Sequence, residues 1–175
     1  AGVSHRDRNT RLNLLKLQIQ LAVEGPPSMA DPTLFLTDAP DDAARSVIGN
    51  GLADYNAEQV GYRDSRPLAV LAQDADGKTL GGILGRTSLG LLFLDLVYLP
   101  KDLRGHDLGS RLLRLAEEEG ARRGCRSAML YTISFQAPGF YGRHGWREFG
   151  RIPCDPPGTA RIFMTKVLPA PAPAN

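Results

Sequence analysis

The sequence predicts a mixed α/β domain, with a central, mostly antiparallel sheet flanked by helices, and three observations carry that expectation. Two strand-like runs, 68–73 and 79–86, flank Asp76-Gly77, a dipeptide suited to the turn of a hairpin. A long apolar run, 91–99, passes through a polar turn with Gly105 and Gly109 into an amphipathic stretch and then a further apolar run at 127–133. That order makes a parallel crossover. The third observation is a closing antiparallel pair, 146–151 and 161–167, joined by a proline-rich link.

At 175 residues the chain has room for one domain with a full core. It is 42% hydrophobic and 23% charged, an ordinary globular composition that argues against wholesale disorder. The net charge of +2, from 21 basic and 19 acidic residues, gives no case for nucleic acid as the main partner. Cys125 and Cys154 belong to no metal-spaced cluster, so neither a disulfide framework nor a metal site is expected, and a reducing, cytoplasmic compartment is the simpler reading. No apolar run reaches the roughly 18 residues of a membrane helix, so no membrane partner is expected.

The first 28 residues read as separate. Leu15, Leu17, Ile19, Leu21 and Val23 alternate with polar or small residues, a strand period that we prefer to the competing helical stripe Leu12, Leu15, Ile19, Val23. Because Gly25 to Ser28 break the pattern and Met29 reads as a natural start, residues 1–28 are expected to be a vector-derived leader or a misassigned start, with the domain at 29–168. If native, such a strand would pair with a sheet edge or a second subunit.

From 33 to 37 a short apolar run suggests a first core strand. Asp38 to Asp42 supply cap and turn chemistry for a helix over 41–59, with Val47, Ile48, Leu52 and Tyr55 as its apolar face and Gly49 and Gly51 weakening it. The hairpin follows, and Leu89-Gly90 turns the chain into the apolar run 91–99, expected at the centre of the sheet. A helix over 108–123 places Leu108, Leu112, Leu115 and Ala116 on one face, pairs Glu118 with Arg122 and Glu119 with Arg123 on the other, and ends at Gly124. A strand at 127–133, a short helix at 136–144 and the closing pair complete the order; the Ala/Pro-rich residues 169–175 read as a disordered tail.

Strand, glycine-bearing turn and helix together form an anion-binding geometry, since the first helical turn carries N–H groups without intrahelical partners and partial positive charge. Arg104 to Gly109 lack the third glycine of the dinucleotide fingerprint, and no Gly-Lys-Ser/Thr follows as in a P-loop.

The segment instead resembles the acyl-CoA-binding motif of the GNAT acyltransferase superfamily, Arg/Gln-x-x-Gly-x-Gly/Ala after a strand: Arg104 and Gly109 match, and Asp107 stands where the middle glycine would be. A carboxylate there repels a pyrophosphate unless it points away or caps the helix. Downstream, Ala137 to Trp146 resembles the superfamily's Ala-x-x-Phe-Tyr-x-x-x-Gly-Phe segment, with Trp146 for the last aromatic.

The resemblance implies the GNAT fold, in which two central parallel strands splay apart and a cofactor arm lies in the gap. It also implies an N-acetyltransferase that moves an acetyl group from acetyl-CoA, without a metal, to a primary amine of a small molecule; the alternatives are a peptide or protein amine, or a non-catalytic acyl-CoA-binding module. Relatives are often dimers. By the same resemblance the backbone of Gly105, His106, Asp107, Leu108, Gly109 and Ser110, with Arg104, anchors the pyrophosphate, and Val97, Tyr98 and Leu99 pair with pantetheine. Tyr141 falls on the position of a general acid that protonates sulfur, a role suited to a phenol near its normal pKa. Ser134 either contacts the cofactor or caps a strand end.

Asp95, a carboxylate in an apolar strand, is a candidate base if burial raises its pKa, or else a paired structural acid. His106 and His144 are expected in solvent and not as ligands. A closed pocket of Trp146, Phe135 and Tyr62 would favour a small acceptor.

Overall fold

The computed structural model describes residues 32–170. The strand pattern at 15–23, the separate segment 1–28 and most of the proposed tail lie outside them. The described residues divide into two units, 32–45 and 46–170.

In the first unit the apolar run 33–37 is not a strand. Leu34, Phe35 and Leu36 are 94, 87 and 95% exposed, and no described residue pairs with their backbone. A strand exists only where a neighbour takes its N–H and C=O groups, so apolar composition alone misled the expectation. Asp41 does cap the following helix, its Oδ1 accepting from the Ala44 N–H at 2.7 Å.

Helix α1, Asp42–Val60, begins in the first unit and ends in the second. It runs unbroken through Gly49 and Gly51, but its apolar face, Val47, Ile48, Leu52 and Tyr55, is exposed.

The second unit is built on a six-stranded sheet of β1 (Arg66–Gln73), β2 (Thr79–Ser88), β3 (Leu91–Tyr98), β4 (Ser127–Ile133), β5 (Arg147–Cys154) and β6 (Thr159–Val167). Its spatial order is β1-β2-β3-β4-β6-β5. Every neighbouring pair is antiparallel except β3 and β4, which are parallel. The expected closing pair exists, and the sheet inserts β6 rather than β5 beside β4.

Helix α2, Leu108–Arg122, crosses from β3 to β4 and packs on β1, β2 and β3. Leu112, Leu113 and Ala116 are buried among Ile83, Leu92 and Leu94, each leucine contributing roughly 1.5–3 kcal/mol on leaving water. Leu115, expected inward, is 51% exposed, because the successive Leu112 and Leu113 rotate the apolar stripe to their side.

Glu119 accepts from both Arg122 and Arg123, at 2.6 Å each. Glu118 lies nearest Arg114 instead of Arg122. Arg123 also donates to the Pro67 carbonyl at 3.0 Å and the Thr87 hydroxyl at 3.3 Å, fixing the helix end to β1 and β2. Helix α3, Pro138–Arg143, is the short helix before β5.

Candidate active site

The site grows from an irregularity in β3. Leu84 pairs with Leu96 and Gly85 with Leu94, so Asp95 is the extra residue of a β-bulge. Gly85 is what permits it: a Cβ there would stand 2.2 Å from the Phe93 carbonyl oxygen. The parallel pairing of β3 with β4 runs from Leu91 and Ser127 to Leu94 and Leu130, then stops where the bulge begins. Beyond it the two strands part, and the edge of Asp95 to Tyr98 that faces β4 has no strand partner there.

The gap holds a cavity of about 240 Å³, bordered by Asp95, Val97, Tyr131, Thr132, Tyr141 and Arg161 among others. Asp95 and Tyr141, distant in sequence, thus share one cavity. Sequence reasoning missed Thr132 and Arg161; the i, i+2 alternation of β4 and β6 placed them on a strand face without saying which face met a gap. Arg161 stacks over the Tyr131 ring at 4.9 Å.

Tyr141 is 6% exposed, packed edge-on against Phe140 and Trp146 with centroids 5.2 and 6.1 Å apart. Burial pushes its hydroxyl above its usual pKa of 10.0, which corrects the expectation of a normal value: the ring leaves water, and the phenolate would be poorly solvated. The group therefore stays a proton donor through neutral pH. Trp146 is fixed in turn, its Nε1–H donating to Glu117 at 2.8 Å while Lys166 donates to the other carboxylate oxygen at 2.6 Å.

Asp95 is not buried. Its side chain is 44% exposed, and its Oδ1 accepts from Arg86 at 2.5 Å. Burial, the premise for Asp95 as a base, is therefore absent, because the bulge turns the residue toward the opening. Arg86 lies over the Phe93 ring at 4.4 Å.

After β3, one 3₁₀ turn at Lys101–Leu103 leads into the glycine turn. Arg104 Nε–H donates to the Leu99 carbonyl at 2.8 Å, bracing the turn against the strand end. Gly105 has φ 81° and Asp107 φ 60°, both left-handed. A glycine suits both positions, and Asp is among the few other residues that tolerate the second.

Asp107 occupies the N-cap position of α2 yet makes no capping bond with its side chain. Capping wants an extended backbone, which Asp107 at φ 60° does not have, so of the two ways in which its carboxylate could avoid repelling a pyrophosphate, capping is absent. The first intrahelical bond runs from Arg111 N–H to the Asp107 carbonyl, leaving the N–H groups of Leu108, Gly109 and Ser110 at the open end of the helix. A Cβ at Gly109 would lie 3.5 Å from Phe140, which sets the turn beside the Phe140-Tyr141 pair.

The remaining candidates separate from the cavity. The Ser134 Oγ accepts from the Ala160 N–H at 3.2 Å, extending the β4–β6 ladder as a strand-end serine does. His106 is exposed as expected. His144 is half-buried rather than fully in solvent, with its ring 4.5 Å from Phe140 and its Nδ1 2.9 Å from the Phe140 carbonyl. Trp146 is buried, while Phe135 and Tyr62 are 67 and 55% exposed, so these three line no common pocket. Cys125 and Cys154 are free thiols. Among the described residues no group of three or more His, Cys, Asp or Glu could hold a metal, and no helix is long and apolar enough to cross a membrane.

A family model described as "Acetyltransferase (GNAT) family" matches residues 34–146. The chain belongs to that family. It is an acetyltransferase, and the mixed sheet with one parallel, splayed pair is the fold the motif resemblance implied.

The GNAT relatives include acetyltransferase Atu2258 of Agrobacterium fabrum, 33% identical over 67% of this chain and 85% of its own length. Blasticidin-S acetyltransferase of Streptomyces morookaense is 38% identical over 60% of this chain and 80% of its own. A crystal structure of an Agrobacterium tumefaciens protein assigned to the acetyltransferases superposes with a TM-score of 0.71 at 30% identity, covering 78% of this chain and all of that one.

Proposed function

We propose that this GNAT enzyme transfers the acetyl group of acetyl-CoA to a primary amine of a small molecule by direct attack, and that residues 29–168 form the transferase domain. The observation that carries the reading is the splay after Leu94 and Leu130, whose cavity brings Tyr141 and Asp95 together at the end of an unpaired strand edge. The parts fit an extended thioester cofactor in order: N–H groups of Gly105 to Ser110 for the phosphates, the backbone of Val97 to Leu99 for the arm, and the cavity for the reacting end. A relative named for blasticidin S supports a small-molecule acceptor. The free thiols Cys125 and Cys154 suit a cytoplasmic location.

When bound, the thioester supplies a carbonyl carbon that accepts the amine lone pair and a sulfur that departs as thiolate. Asp95 Oδ, on the cavity wall and open to water rather than buried as first expected, takes a proton from the acceptor nitrogen, directly or through a water. Tyr141 Oη holds the proton that sulfur receives, and burial keeps it there until it is needed. Backbone N–H groups at Val97 to Leu99 orient the carbonyl oxygen and stabilise charge on it. Solvent then returns the proton from Asp95 to Tyr141, and both residues recover their starting forms.

A panel of amines, including peptide amines, assayed with acetyl-CoA for release of the free thiol tests this reading. Tyr141→Phe is expected to lower turnover roughly 10²–10⁴-fold with acetyl-CoA affinity unchanged; unchanged turnover would remove Tyr141 from the mechanism. Binding of acetyl-CoA with no turnover on any amine would favour the non-catalytic module that the Asp107 carboxylate keeps in view.

A further inference from the structure

A second cavity, about 430 Å³, opens between α1 and the β2–β3 hairpin, bordered by Leu52 and Ala57 of α1, Leu91 and Phe93 of β3, and Arg86 of β2. The first cavity carries Asp95 in its wall. The Arg86–Asp95 ion pair thus links the walls of the two spaces, Arg86 bordering the apolar cleft and Asp95 the cavity that Tyr141 also borders.

We propose that Arg86 is the exchangeable counter-ion of Asp95 and a specificity-determining residue, and that the apolar cleft takes the body of an acceptor whose ammonium group replaces the guanidinium on the carboxylate. This rests on the reading of Asp95 and Tyr141 given above. It narrows the acceptor to a cationic amine on an apolar body small enough for the cleft.

Two features make the exchange feasible. The side chains of Arg86 and Asp95 are 47 and 44% exposed, and an ion pair so open to water shifts a population by no more than about fivefold. Arg86 also has somewhere to remain once displaced, because it already stacks over Phe93 at 4.4 Å.

The other charged groups in the cleft are occupied. Arg63 pairs with Asp54 at 2.7 Å, and Asp64 accepts from the Leu89 N–H at 3.0 Å. Around Asp95 the charged and titratable groups are Arg86 from β2, Arg161 from β6, Tyr131 from β4 and Tyr141 from α3. Arg86 is the one bonded to it.

The test compares the full chain with Arg86→Gln and Arg86→Lys on a protonated arylalkylamine and on a neutral arylamine, with acetyl-CoA affinity measured for each protein. Arg86→Gln is expected to lower KM for the cationic amine about two- to fivefold, leaving KM for the neutral amine and the acetyl-CoA Kd unchanged. Arg86→Lys, which keeps the cation, restores the wild-type KM for the cationic amine.

An Arg86→Gln enzyme with the wild-type KM ratio between the two amines overturns the proposal, as does an equal change for both, which marks a structural role. A wild-type chain that acetylates other amines but neither of these overturns this proposal alone, and one that binds acetyl-CoA and acetylates no amine of the panel overturns the transfer reading with it.

Discussion

Replacing Asp107 tests the glycine turn where it departs from the family motif. The residue sits at φ 60°, with a carboxylate that caps nothing, at the end of the helix that would hold the pyrophosphate. Taken at a separation on the order of 7 Å, just inside the screening length at 0.15 M salt, a carboxylate and two phosphate charges repel by roughly 1.2 kcal/mol in water, and screening leaves about 0.5 kcal/mol. Asp107→Gly is therefore expected to bind acetyl-CoA about twofold tighter at physiological salt and up to about sevenfold tighter at low salt.

Stability changes little in the same variant. Relief of a left-handed non-glycine residue, about 1–2 kcal/mol, is offset by roughly 0.5–1 kcal/mol of glycine backbone entropy and about 0.3–1 kcal/mol of lost attraction to the helix N-terminus. Asp107→Asn separates the two effects, since it removes the charge and keeps a side chain that tolerates the conformation. Calorimetric titration at two salt concentrations measures both variants. Affinity that is unchanged in both, with no dependence on salt, would refute the placement of the phosphates at this turn.

Gly85→Ala forces a Cβ against the Phe93 carbonyl, which no rotamer change can relieve; a loss of at least about 1–3 kcal/mol in urea unfolding is expected, and a neutral result would mean the bulge is not held by close backbone approach. Glu119 has its carboxyl lowered from 4.5 to about 2, first by hydrogen bonds from Arg122 and Arg123. Its folded pKa is depressed, so the stability it contributes is complete above about pH 4.5 and is lost as pH falls through about 2. Denaturation of wild type and Glu119→Gln should therefore differ at neutral pH and converge in acid, and a constant gap would contradict the pairing. For Tyr141 the folded value is raised above 10.0 by burial, so its stabilising contribution is complete below about pH 10 and disappears as pH rises through the raised value, relative to Tyr141→Phe.

The strands and helices of the second unit were legible because their signals are local: Asp76-Gly77 for the hairpin, the apolar run of β3, Gly124 at the end of α2. The two motifs placed Tyr141 and the glycine turn for the same reason. What escaped depends on pairing between distant residues. The run 33–37 has strand composition without a strand partner, and the apolar face of α1 is uncovered. The bulge at Asp95 follows from the register of β2 against β3, to which Gly85 gave a signal that only the packed backbone makes readable. Arg86 carries no mark in the sequence; nine residues from Asp95, it meets the carboxylate because the β2–β3 turn folds the chain back.

The glycine turn and the splayed strands are proposed to form one acyl-CoA site. Calorimetric titration of the full chain with acetyl-CoA, beside an acetyl-pantetheine that lacks the phosphates, tests it most directly. Acetyl-CoA is expected to bind, with an affinity at least about tenfold weaker for the truncated thioester, the loss expected when charge-assisted hydrogen bonds to phosphate are removed. Equal affinities, or no binding of acetyl-CoA, would contradict it.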